Sequence, residues 1–195
     1  KLHGVCWLDI GGGEPFLHKD IVAICRLFPN AAITIPTNGQ RPDAIACAVR
    51  ELAGAVKKEL TLAVSMDGFE PTNDSIRGVG SFNRAMETVR LLRGIPGITL
   101  KVSTVVCNAN YRELLKFAAF VREHKPDYHS MLLLRGTPDD PAMALTTIDE
   151  LRVLTPDLLR ILGSYDYGDG GNFVLRILKK RYQRYLWETS LKTLE

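Results

Sequence analysis

The strongest constraint on the fold is an alternation that repeats along most of the chain. Short, nearly continuous apolar runs at residues 5–10, 31–35, 60–66, 98–106 and 128–134 are each followed by polar punctuation and then by a helical pattern. Ile21, Ile24, Cys25 and Phe28 recur at helical spacing, as do Ile45, Val49, Leu52, Ala53 and Val56. Phe82, Ala85, Met86, Val89 and Leu92 do the same after Ser81, a good N-cap, and so do Leu114, Phe117, Ala118 and Val121. Parallel strand pairs need long crossovers, which helices usually supply, and strands covered on both faces read as unbroken apolar runs. The chain is therefore expected to be α/β with a parallel sheet, either open and doubly wound or closed as a barrel or part-barrel. Residues 67–80 read as a polar loop. Beyond 140 the pattern is mostly helical, over 147–162 and 173–191, with a glycine-rich break at 168–171.

With 195 residues, 46% of them hydrophobic and 24% charged, the composition is that of a globular protein able to bury a sizeable core. A net charge of +3 gives no electrostatic argument for nucleic acid or an anionic membrane as partner. No apolar run approaches the roughly 20 residues a membrane-spanning helix needs, and no basic-then-apolar leader opens the chain, so a cytoplasmic location is expected. Four cysteines, Cys6, Cys25, Cys47 and Cys107, match no metal-binding spacing and are expected to be structural thiols.

In either architecture ligands bind at the carboxyl ends of the strands. Those exits read GGGEP (11–15), TNG (37–39), SMDG (65–68), Asn108 and RGTP (135–138). Turns favour Gly, Asn and Asp in any protein, which explains each exit taken singly. It does not explain Ser65 and Arg135, which turn geometry does not demand. Glycines at 11–13 leave the backbone open to a ligand, and Glu14 presents a carboxylate beside it. A phosphate cradle is disfavoured, because Glu14 would repel the anion. A ligand with an ammonium, hydroxyls and a carboxylate suits the set better.

Taken together, GGEP at 12–15, TNG at 37–39, SMDG at 65–68 with IRG at 76–78, and Asn108 after the fourth strand resemble the radical S-adenosylmethionine superfamily over roughly residues 5–140. The resemblance implies a (βα) part-barrel core over 1–145 that lacks its first strand, followed by a helical extension over 146–195. It implies S-adenosylmethionine as cofactor, with Gly12, Gly13 and Glu14 at its methionyl amino group. Ser65 and Asp67 would sit by the ribose or the methionyl end, Asn108 by the adenosine, and Arg77 by a carboxylate or the substrate. Thr37 and Asn38 are equally well explained as turn residues and as ligand contacts. The activity implied is reductive cleavage of the cofactor to a 5′-deoxyadenosyl radical that abstracts a substrate hydrogen. A 4Fe-4S cluster and a reductant such as ferredoxin or flavodoxin would serve it, and the substrate would be a peptide or a small molecule.

The departures are as informative as the matches. The superfamily carries a CxxxCxxC loop whose thiolates hold the cluster, and this sequence has none, with Cys6 alone before GGGEP. A piece beginning after that loop, inactive in isolation, is expected, in preference to a degenerate homologue that keeps a binding or scaffold role. Relatives of the SPASM/twitch type continue into a cysteine-rich segment, and the last helix resembles the one that leads there. Its Arg176, Lys180 and Arg184 form a basic stripe, read as a solvated face or as a contact for an acidic peptide. No catalytic residue can be assigned on the substrate side, where Arg135 and the loop 137–141 are the expected contributors.

Overall fold

The computed structural model of the chain describes residues 4–136, 138–168 and 172–194. Five strands, β1 (Trp7–Asp9), β2 (Ala32–Thr37), β3 (Leu60–Ser65), β4 (Thr99–Val106) and β5 (Tyr128–Leu133), are hydrogen-bonded neighbours in chain order. β1 pairs parallel to β2 and β2 to β3, with Asp9 opposite Thr34 and Thr34 opposite Thr61. With helices in the crossovers, the fold class is that of an incomplete parallel (βα) barrel, as the alternation predicts. Among the described residues no helix is long and apolar enough to cross a membrane.

Two compact units are distinguished. The first runs to Ser65 and takes in Asn83–Lys101. Here β2 alternates strictly, burying Ile33, Ile35 and Thr37 on one face, while β3 is buried from Leu60 to Val64. Helix α1 (Ile21–Arg26) packs beside α2 (Pro42–Ala53), which starts with a proline at its first turn, where no N–H is needed. Ile45, Ala46, Val49 and Leu52 turn inward from α2, and Cys47 is left on its exposed side. Gly39, with φ of +71°, lies so close to α4 (Ser81–Arg93) that a Cβ would sit 3.0 Å from the Ala85 backbone. The Thr88 hydroxyl donates to the Gly39 carbonyl at 2.8 Å and fixes that approach.

The second unit comprises Met66–Phe82 and the chain from Val102 onward. The stretch expected as a loop contains a two-turn helix, α3 (Glu70–Arg77). No apolar stripe announces it, because its one buried residue is an amide, Asn73. Asn73 accepts from the Asp67 N–H at 2.8 Å and donates to the Ser81 hydroxyl at 2.8 Å. Helices α5 (Leu114–Glu123), α6 (Ile148–Leu162) and α7 (Phe173–Lys192) enclose a core around Met131, Leu133, Leu151, Leu158 and Trp187. Thr147 and Glu150 form a capping box at the start of α6. Of α7, only Trp187 and Leu191 are buried. Thr137 and the glycines Gly170 and Gly171, which the sequence places in loops, lie outside the described residues.

The cysteines depart in part from expectation. Cys25 and Cys107 are buried and their thiols are pushed up by desolvation, as packed thiols should be. Cys6 and Cys47 are exposed, since neither lies on a face that packs against another element.

Candidate functional site

Glu14 organises the first cluster. It caps the short 3-10 turn Pro15–Leu17, accepting the Phe16 N–H through Oε1 at 3.2 Å. The same oxygen accepts the Thr37 hydroxyl at 2.9 Å, and Oε2 accepts the Asn38 N–H at 2.6 Å. The Thr37 oxygen in turn accepts the Gly39 N–H at 3.1 Å. The acid at the exit of β1 therefore fastens the exit of β2. A carboxylate offers about four acceptor positions, so one on Oε2 is left over. Around it the backbone is bare: a Cβ built on Gly11, Gly12 or Gly13 would have no atom within 4 Å. Gly12 also holds a φ of +123°, which side-chain-bearing residues rarely adopt. A small cavity of about 110 Å³ adjoins Glu14 and Asn38. Ser65, half-buried, ends β3 in the same unit.

Asp67 organises the second cluster and is 3% exposed. Its Oδ1 accepts the Val105 N–H at 2.8 Å, and its Oδ2 stands 2.7 Å from Arg77 Nε. That contact is ionic, because the buried Nε–H is not aligned for a hydrogen bond. The carboxylate that Arg77 meets here is thus the protein's own. Asp74 anchors the next turn, accepting from the Phe82 N–H, the Gly80 N–H and the Ser81 hydroxyl. The Phe82 N–H bond leads the causes that hold the Asp74 carboxyl below its ordinary range.

Asn108 lies exposed after β4, its backbone N–H donating to the Ala144 carbonyl at 2.7 Å. The amide that reaches Asp67 belongs instead to Asn110, which is buried. Its Nδ2 donates to the carbonyls of Asp67 and Val105, and its Oδ1 accepts the Cys107 N–H. Sequence reasoning missed Asn110. The only available signal was a pair of asparagines two positions apart, and composition cannot choose between them. Glu113 was missed as well: it accepts the Phe69 N–H at 2.9 Å and fills the space beside Gly68.

Of the basic stripe on α7, Arg176 lies 3.6 Å from Asp166, Lys180 sits over the Tyr167 ring and Arg184 pairs with Glu188. Each is thus engaged locally. Among the described residues no group of three or more His, Cys, Asp or Glu could hold a metal ion, so they do not fit a 4Fe-4S cluster.

No protein-family profile matches the sequence. Among curated proteins, the mycofactocin maturase MftC of Mycolicibacterium smegmatis is 29% identical over 125 residues, covering 62% of this chain and 30% of that protein. A probable GTP 3′,8-cyclase of Saccharolobus solfataricus is 30% identical over 118 residues, 58% of this chain and 37% of that protein. Among solved structures, Streptococcus suis SuiB bound to S-adenosylmethionine superposes with a TM-score of 0.63 at 21% identity, over 77% of this chain and 35% of that one. The structure of anSMEcpe with bound AdoMet and the Cp18Cys peptide gives 0.61 at 17%, over 87% and 49%. These similarities support the resemblance of the chain to the radical S-adenosylmethionine superfamily. The chain spans about a third of the length of the curated relatives it matches.

Proposed function

We propose that this chain is the cofactor-holding core of an enzyme that uses S-adenosylmethionine to abstract a hydrogen from its substrate. Bound S-adenosylmethionine would supply, on reduction, the 5′-deoxyadenosyl radical. The rest of the task falls to the protein. Gly12 and Gly13 would admit the methionyl end against bare backbone, and Glu14 would take its ammonium on the remaining Oε2 lone pair, a charge-assisted bond. Thr37 and Asn38 would hold Glu14 in place. Ser65, Asp67 and Asn108 would face the ribose and adenosine, with Arg77 fixing Asp67 and Asn110 fixing its backbone.

The observation that carries this reading is the single uncommitted acceptor position on Glu14 beside three open glycines. The described residues offer no cluster ligands, so the reading gives this chain binding and positioning rather than electron delivery. In the whole enzyme a one-electron donor such as ferredoxin or flavodoxin would serve, in the cytoplasm. A peptide substrate is supported by the relatives, one of them a maturase and one solved with a peptide. Residues 1–145 form the core in this reading, and 146–195 the helical extension.

Calorimetry of the chain with S-adenosylmethionine and with ATP tests it. Binding of the first, weakened about tenfold or more in Glu14→Gln, is expected; preference for ATP sinks the reading. The absence of cluster ligands among the described residues also favours a second reading, a non-catalytic homologue with a binding or scaffold role. Formation of 5′-deoxyadenosine by the chain under dithionite would contradict both that reading and the binding-only role.

A further inference from the structure

Alternation along β5 sends Met131 and Leu133 into the core against α5 and α6, and puts Leu132 and Leu134 on the other face. Strands of a parallel sheet are ordinarily covered on both faces, yet Leu132 is 49% exposed. The C-terminal end of α7 reaches this face without filling it. What remains is a cavity of about 510 Å³, walled by Val105, Leu132, Leu134 and Leu194 and reached by Arg135 and Ser190. That volume is in the range of small-molecule sites, which combine apolar walls with a few polar groups. No acid lines it. Arg135 forms no hydrogen bond or ion pair with a described residue, and it stands at the mouth of an apolar space. Thr193, also on the wall, donates its hydroxyl to the Ser190 carbonyl at 2.8 Å, leaving its oxygen as an acceptor.

We propose that this cavity binds a carboxylate carried on an aliphatic body, with Arg135 holding the carboxylate and Leu132 and Leu134 the body. The proposal names the substrate class for the enzyme reading above and rests on it. A planar guanidinium matches a carboxylate two-pronged, and a singly charged head on an apolar body loses less solvation in such walls than a phosphate dianion. The carboxylate can belong to a small acid or to the end of a peptide.

Calorimetry of the chain with octanoate, with N-acetyl-leucyl-leucine and with the amide of that dipeptide tests the site. At least one acid is expected to bind and the amide to bind tenfold more weakly. Binding of octanoate alone assigns a small acid, and binding of the dipeptide acid assigns a peptide end. Arg135→Gln should weaken the acid tenfold or more, with Arg135→Lys in between and circular dichroism unchanged. Leu132→Asp, at a half-exposed position, should abolish acid binding by charge repulsion and carries the test if the arginine variant does not fold. Equal binding of acid and amide, unchanged binding in Arg135→Gln, or displacement of the acid by S-adenosylmethionine would each overturn the proposal. Acid binding without any S-adenosylmethionine binding would support the cavity and sink the enzyme reading, so the two fail separately.

Discussion

The Asn110 side chain donates through Nδ2 to the backbone carbonyl of Asp67 at 2.8 Å, joining two loops 43 residues apart in sequence. The same nitrogen reaches the Val105 carbonyl and the same side chain accepts the Cys107 N–H, all of it buried. Replacing Asn110 with alanine leaves these backbone groups without partners. A loss of about 2–4 kcal/mol is expected from unsatisfied buried groups, read as a fall in the urea midpoint. Asn108→Ala, at an exposed side chain, should change the midpoint little.

Arg77 is the partner of a carboxylate that has almost no contact with solvent. Arg77→Gln strands that charge and should cost about 2–4 kcal/mol. Asp67→Asn combined with Arg77→Gln should recover part of the loss in a double-mutant cycle of thermal or urea unfolding. Strict additivity of the two would show that the ionic contact contributes nothing.

Glycines of the two leading motifs are expected to respond differently. Gly39→Ala meets both a left-handed backbone and the close approach of Ala85, and should destabilise by about 2 kcal/mol. Gly13→Ala meets neither, so the fold should keep its stability while affinity for S-adenosylmethionine drops. Equal unfolding midpoints for the two variants would contradict this division.

His129 sets an acid limit to stability. It is fully buried between the Phe117 and Tyr165 rings. The Thr104 hydroxyl donates to the Met66 carbonyl, so it accepts from His129 Nε2–H, and Nδ1 is left without a partner. Burial pulls the imidazole down to about 3. The unfolded chain binds its proton near pH 6.5, the folded one only near 3. Stability from the neutral ring is therefore complete above pH 6.5 and is lost as pH falls towards 3, by about 1.4 kcal/mol per pH unit in between. His129→Phe should flatten that part of the curve of unfolding free energy against pH, and an unchanged slope from pH 6 to 4 would count against the assignment.

The extent to which the molecule was legible beforehand follows from what carries each element. Strands and amphipathic helices announce themselves because burial of Ile33, Ile35, Val49 or Leu158 imposes a period on the chain. Helix α3 imposes none, since Asn73 anchors it through two hydrogen bonds. GGEP and TNG were visible as motifs, but their bond from Glu14 to Asn38 spans 24 residues and no local pattern encodes it. Asn108 and Asn110 show the same limit at its sharpest. Identical side chains two residues apart are distinguished only by which one the turn directs inward.

Glu14 has two occupations, and this bears on how relatives should be interpreted. Because it ties Thr37 and Asn38 within the fold itself, selection for a well-formed barrel alone suffices to retain it. A lineage that abandoned the chemistry would keep its glutamate as a relic of architecture. Persistence of that acid in a sequence is therefore poor testimony to activity; Gly11 and Gly13 beside it, where neither a left-handed backbone nor a close neighbour demands glycine, are the better witnesses.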